Sequence, residues 1–126
     1  MRGERFEEFM AQRVALITGG GKRIGAATVS LLLDNGWFVF IHVRSSITEA
    51  EGILRAYEQK NSSKAQAEIL QADLNSDEDL ATLIGNVLNH EKVKTNGGLH
   101  ALIHNASIYS SEDYASVNLQ TLRLNN

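Results

Sequence analysis

The sequence predicts an α/β domain in which a parallel sheet is covered by helices on both faces. Three observations point there. Strand-like apolar runs and amphipathic helical stretches alternate along the 126 residues. The first run, Val14-Ala15-Leu16-Ile17, is continuous rather than alternating, as expected of a strand buried on both faces. It leads directly into Thr18-Gly19-Gly20-Gly21-Lys22-Arg23-Ile24-Gly25, a glycine-rich turn that opens a helix. Glycines in such a turn let the backbone approach a phosphate closely, and the helix start presents free N–H groups and a positive dipole end.

Each element has its own signal. Val14–Thr18 is the first strand. The helix after it places Ile24, Ala27, Thr28 and Leu31 on one stripe and stops at Asn35-Gly36. Trp37–Val43 is aromatic and β-branched, a second strand. Thr48 and Glu51 have the spacing of a capping box for a second helix, followed by Ala50, Ile53, Leu54 and Tyr57 at helical intervals. Ala67–Ala72 is a short third strand. Ser76 with Asp79 opens a third helix, whose Leu80, Leu83, Ile84, Val87 and Leu88 share a face and whose C-terminal end suits Lys92 and Lys94. Asn96-Gly97-Gly98 breaks the chain before a fourth strand, Leu99–His104. Residues 111–126 begin a last helix. Right-handed crossovers then imply a doubly wound sheet in the order 3-2-1-4.

Composition excludes several classes. Hydrophobic residues make up 43% and charged residues 21%, with a net charge of -3, ordinary for a globular protein and without the basic surplus of a nucleic-acid binder. Cysteine is absent, so there is no disulfide or thiol nucleophile. The start carries Arg2, Glu4, Arg5, Glu7 and Glu8, unlike a signal peptide, and no apolar stretch is long enough to span a bilayer. The expected compartment is the cytoplasm, with no membrane partner. The four histidines lack metal-ligand spacing with a third partner: His42 and His104 end apolar strands, while His90 and His100 stand alone.

Two nucleotide motifs compete for the glycine turn. A Walker loop requires a glycine five positions before its Gly-Lys and then Ser or Thr; here those positions hold Leu16 and Arg23, which rejects it. A dinucleotide site fits the strand, turn, helix and next strand. The end of the second strand selects the cofactor. It reads His42-Val43-Arg44-Ser45-Ser46, with no carboxylate before Glu49 to bond a ribose 2′-hydroxyl. Arg44, Ser45 and Ser46 suit a 2′-phosphate, and Lys22 and Arg23 add positive charge, so NADPH is the expected cofactor. The alternative for Arg44 is a solvated loop arginine.

Thr18 to Gly25 resembles the T-G-x-x-x-(G/R)-x-G loop of the short-chain dehydrogenase/reductase family, Asp73-Leu74 resembles its Asp-(Leu/Val) pair, and His104-Asn105-Ala106-Ser107 is similar to its Asn-Asn-Ala-Gly motif. Within the family, Lys-Arg-Ile-Gly, the basic end of the second strand and Asn-Ala-Ser are similar to the pteridine and dihydromonapterin reductases. The resemblance spans about Arg13 to Asn126 and implies a Rossmann-type domain over 13–126, preceded by a 12-residue extension. It implies that Thr18, Gly19, Gly21, Lys22, Arg23, Ile24 and Gly25 form the cofactor loop. Asp73 and Leu74 would lie at the adenine, and Asn105, Ala106 and Ser107 along the cofactor. It further implies that Arg23, Ser107 and Tyr109 reach a small-molecule substrate such as a pterin. Tyr109 either stacks on that flat heterocycle or packs under a loop. Asn125 matches the family asparagine that orders a water in the proton relay.

The family's proton donor is a tyrosine with a lysine four residues later. Tyr57, Tyr109 and Tyr114 are followed at that offset by Asn61, Asp113 and Asn118, so the pattern is absent. The expectation is therefore the N-terminal part of an NADPH-dependent reductase, inactive by itself, with a homo-oligomeric full-length form. Its fourth strand would be left as an apolar edge prone to self-association. The alternatives are a non-catalytic NADP(H)-binding chain, or a relative acting on another carbonyl compound.

Overall fold

Continuous β-branched and aromatic runs make the central strands, and more polar runs make the edges. In the computed structural model, which describes residues 11–21 and 23–105, the strands are β1 (Val14–Thr18), β2 (Phe38–Val43), β3 (Ala67–Gln71) and β4 (Ala101–His104). They form one parallel sheet in the order β3-β2-β1-β4, the expected doubly wound topology. Every residue of β1 and β2 is buried, whereas β3 and β4 are only partly covered. The helices are α1 (Arg23–Asp34), α2 (Ile47–Asn61), α3 (Asp77–Leu88) and the short α4 (Glu91–Thr95). Residues 111–126, expected as a further helix, lie outside the described residues.

The two faces of the sheet bury separate cores. On one, Ile17, Val39, Ile41 and Val43 pack with Val29 and Leu33 of α1 and Ala50 of α2. On the other, Val14, Leu16, Phe38 and Phe40 pack with Leu83 and Val87 of α3 and Val93 of α4. Side-chain alternation along each strand divides its residues between the two. Among the described residues no helix is long and apolar enough to cross a membrane.

Three sequence expectations change. Of the expected stripe of Ile24, Ala27, Thr28 and Leu31, Leu31 is 61% exposed and Ala27 is exposed, while Val29 and Leu33 are the residues α1 buries. The rotation is set by Gly25, one helical step before Val29, which lies so close to the glycine turn that it must face inward. The helix α2 starts after Ser46, not at the Thr48–Glu51 box, and Ser46 makes no side-chain cap bond. Ile47 packs against the core there, which draws the helix start forward.

The third helix is really two. Ser76 caps α3 by accepting the Asp79 amide, as the spacing indicates, and Leu83 and Val87 are buried. Ile84 and Leu88, however, are 46% and 53% exposed. The chain turns at Asn89, and α4 follows with His90 as its cap, so Val93 and Leu99 complete this core instead. Lys92 and Lys94 thus end α4 rather than α3.

Candidate functional site

The strand order reverses at β1, which lies between β2 and β4. In open α/β sheets such a point leaves a crevice at the carboxyl ends of the strands. The glycine turn sits there. In register across the sheet, Leu70, His42, Thr18 and His104 form the last row beneath it.

Side chains from both neighbouring strands hold the turn. Gly19 adopts φ +66°, a conformation that suits glycine. Its N–H donates to His42 Nδ1 at 3.3 Å, and its carbonyl accepts from Asn105 Nδ2 at 3.4 Å. The Asn105 amide donates to the Thr18 carbonyl at 3.1 Å and to the Thr18 hydroxyl at 3.0 Å. That hydroxyl lies 2.8 Å from His104 Nδ1. The Gly20 amide donates to the His42 carbonyl at 3.2 Å. The amides of Gly19 and Gly20 are therefore engaged within the protein.

Gly25 closes the turn from above. A Cβ at this position would lie 2.6 Å from the Gly19 carbonyl oxygen, 2.7 Å from Asn105 Nδ2 and 2.8 Å from the Gly20 Cα. A Cβ on Gly21 would lie 3.1 Å from the Ser46 carbonyl oxygen, so the turn abuts the loop after β2. That loop exposes Arg44 and Ser45 and half-buries Ser46. Gln71 Nε2 donates to the Arg44 carbonyl at 2.9 Å and anchors the loop from β3. The sequence gives no local sign of this clamp, because its partners are 27 residues apart.

The other expected site residues divide into two groups. Asp73 follows β3, where its carboxylate accepts the Asn75 amide at 2.9 Å and its own amide donates to Asp79 Oδ2 at 2.9 Å. Leu74 packs against the α3-side core. The structure thus brings Thr18, Gly19, Gly21, Gly25, Arg44, Ser45, Ser46, Asp73 and Asn105 to one end of the sheet. Lys22, Ala106, Ser107, Tyr109 and Asn125 lie outside the described residues, as do the side chains of Arg23 and Ile24.

The histidines are engaged rather than alone. His90 Nδ1 accepts the Lys92 amide at 3.0 Å, its Nε2 lies 3.3 Å from Glu68, and its ring stands edge-on to Phe40 at 4.9 Å. His100 Nδ1 accepts the first amide of β1, that of Val14, at 3.0 Å. His42 is buried, and its Nε2 lies 2.8 Å from the Ala72 carbonyl. Since Nδ1 accepts from Gly19, the ring proton belongs on Nε2, which donates to Ala72. Burial pushes the His42 pKa below the usual imidazole range; the Ala72 carbonyl opposes this and the nearby His104 adds to it.

With this geometry in place, comparison with known proteins gives a consistent result. The family model described as short chain dehydrogenase matches residues 13–124. A dihydromonapterin reductase from an Enterobacter species is 36% identical over 102 residues, covering 80% of this chain and 36% of that protein. The short-chain dehydrogenase/reductase homolog YusS of Bacillus subtilis is 33% identical over 96 residues, covering 76% of this chain and 81% of that protein. The structure is similar to FolM alternative dihydrofolate reductase 1 from Brucella canis, solved as a complex with NADP: TM-score 0.62, 30% identity, 82% of this chain and 38% of that one. The chain thus spans little more than a third of the two reductases and most of the Bacillus homolog.

Proposed function

The chain belongs to the short chain dehydrogenase family, and from that premise we propose that it is the NADPH-binding portion of a reductase acting on a pterin such as dihydromonapterin or dihydrofolate. The observation that carries the cofactor reading is the packing of the glycine turn on the Arg44-Ser45-Ser46 loop, through Gly21 against Ser46. This contact sets a phosphate-binding turn beside a basic, hydroxyl-bearing loop that has no carboxylate before Glu49. The close approach of Gly25 to the turn also fits a site where backbone rather than side chain faces the pyrophosphate.

The nicotinamide of the bound cofactor supplies a hydride to the substrate. The chain's own residues bind and orient. The amides after Gly20 and the positive end of α1 hold the pyrophosphate. Arg44, Ser45 and Ser46 take the 2′-phosphate through charge-assisted hydrogen bonds, and Gln71 keeps the Arg44 backbone in place. Asp73 lies on the adenine side, Asn105 secures the turn, and Arg23, Ser107 and Tyr109 are assigned to the substrate. Asn125 is assigned to the proton relay. The pterin reading is supported by the similarity to the dihydromonapterin reductase and to FolM. The second reading is an NADP(H)-binding chain without turnover.

Arg44→Asp tests the cofactor assignment. Fluorescence titration is expected to show NADPH binding at least about tenfold weaker in the variant, with NADH binding maintained or improved. An unchanged preference for NADPH would return Arg44 to the role of a solvated loop residue.

A further inference from the structure

Gly19 is gripped through the peptide groups on both of its sides. Asn105, from the end of β4, takes its carbonyl, and His42, from β2, takes its N–H. The His42 ring spans two strand ends, with Nδ1 toward the turn after β1 and Nε2 toward Ala72 after β3. It is nearly fully buried, at 2% exposure, and so it has no water to substitute for either bond. A ring accepting at Nδ1 and donating at Nε2 must be neutral. Once protonated, it would present an N–H to the N–H of Gly19, two donors face to face.

We propose that His42 is a positioning residue for the cofactor loop: its neutral Nε2–H form locks the Gly19 peptide in the binding turn, and protonation at Nδ1 releases it. NADPH affinity is therefore coupled to acidification through a residue that touches no part of the cofactor. The binding half of this inference rests on the cofactor reading above; the tautomer and the grip on Gly19 do not.

The surroundings favour the neutral form. Across the sheet His42 is flanked by Leu70 on β3 and Thr18 on β1, neither of which titrates. His104, one strand further, is the titratable neighbour that acts on it, and it opposes a second positive charge. From the helical side, α3 and α4 bring Leu83, Val87 and Val93 to this face, and the titratable His90 packs on Phe40 there, beside Glu68 of β3. Asp73 and Asp79, in the β3–α3 segment, accept backbone amides. Arg44, two residues along the chain, is exposed.

Two measurements on the 126-residue chain test this. The first is imidazole ¹⁵N NMR with Gly19 amide exchange, without cofactor. The expected result is an Nε2–H tautomer for His42, kept as the pH falls below that of exposed histidines, and a protected Gly19 amide whose protection is lost when the ring finally titrates. An Nδ1–H tautomer, or Gly19 protection indifferent to the ring's titration, overturns the proposal. The second is NADPH titration between pH 8 and pH 5 for wild type, His42→Gln and His42→Phe. Glutamine can accept from Gly19 and donate to Ala72 but does not titrate. It is expected to stay within about threefold of wild type at pH 8 and to escape the steep loss at low pH, while phenylalanine weakens binding about tenfold or more at every pH. Equal low-pH loss in wild type and His42→Gln overturns the coupling. If wild type binds no NADPH at any pH, the cofactor reading fails, and the first measurement alone decides whether His42 holds the turn.

Discussion

Gly25→Ala is expected to cost about 2–3 kcal/mol of stability and to abolish NADPH binding, although it adds a single methyl group at a helical position. Two of the atoms in its way are backbone, the Gly19 carbonyl oxygen at 2.6 Å and the Gly20 Cα at 2.8 Å, and neither can rotate aside. Relief requires α1 to lift off the turn, which breaks the seating of Asn105 on Gly19 and shifts Val29 and Leu33 out of the core. Gly85→Ala provides the contrast. Gly85 also lies within a helix, α3, but a Cβ there would meet nothing within 4 Å. Its substitution is expected to stabilise the fold by about 0.5–1 kcal/mol, the usual helical advantage of alanine. Urea unfolding of the two variants beside wild type checks the opposite signs. A neutral Gly25→Ala would mean that the turn is not clamped by the helix.

Phe40→Ala is expected to cost about 3–5 kcal/mol. Phe40 is fully buried in β2, on the face shared with α3 and α4. Its ring stands edge-on to Phe38 at 5.2 Å and to His90 at 4.9 Å. Removing it leaves a void between the sheet and two helices and takes the support from the His90 ring, which caps α4. Domains of this size have about 5–15 kcal/mol in total, so the variant is expected to populate unfolded forms at moderate temperature. Near-native thermal unfolding of Phe40→Ala would show that the α3 side of the sheet adds little to stability.

The parts of the fold legible in the sequence were those whose cause is local. Val14–Thr18 followed by the glycine turn identifies a strand, a turn and a helix start within twelve residues. The alternation of elements then gives the sheet order observed. Ser76 and Asp79 announce the start of α3 three residues apart, and the structure forms that bond. The rest depended on contacts between distant segments. Both stripes of α1 are apolar, and the choice of Val29 and Leu33 over Leu31 is made by Gly25 against the turn and against Asn105, 80 residues away in the chain. His42, His90 and His100 look isolated in one dimension because their partners lie on distant segments, at Gly19, Glu68 and Val14. The one available signal was polarity: a histidine within the otherwise apolar run of β2 has to find partners when buried. Gln71 carried no signal, since an exposed glutamine at a strand end is ordinary until its bond to the Arg44 carbonyl is seen.

The central claim is that the glycine turn and the loop after β2 together form one cofactor site. Titrating NADPH into the ¹⁵N-labelled chain, with backbone amide shifts followed residue by residue, tests it most directly. The predicted result is saturable binding, stronger than for NADH, with the largest shifts in Gly19–Gly25, in Arg44–Ser46 and at Asn105. Absence of binding, or shifts centred elsewhere, such as the groove between α1 and α2 lined by Ala27, Ile53 and Tyr57, would contradict it.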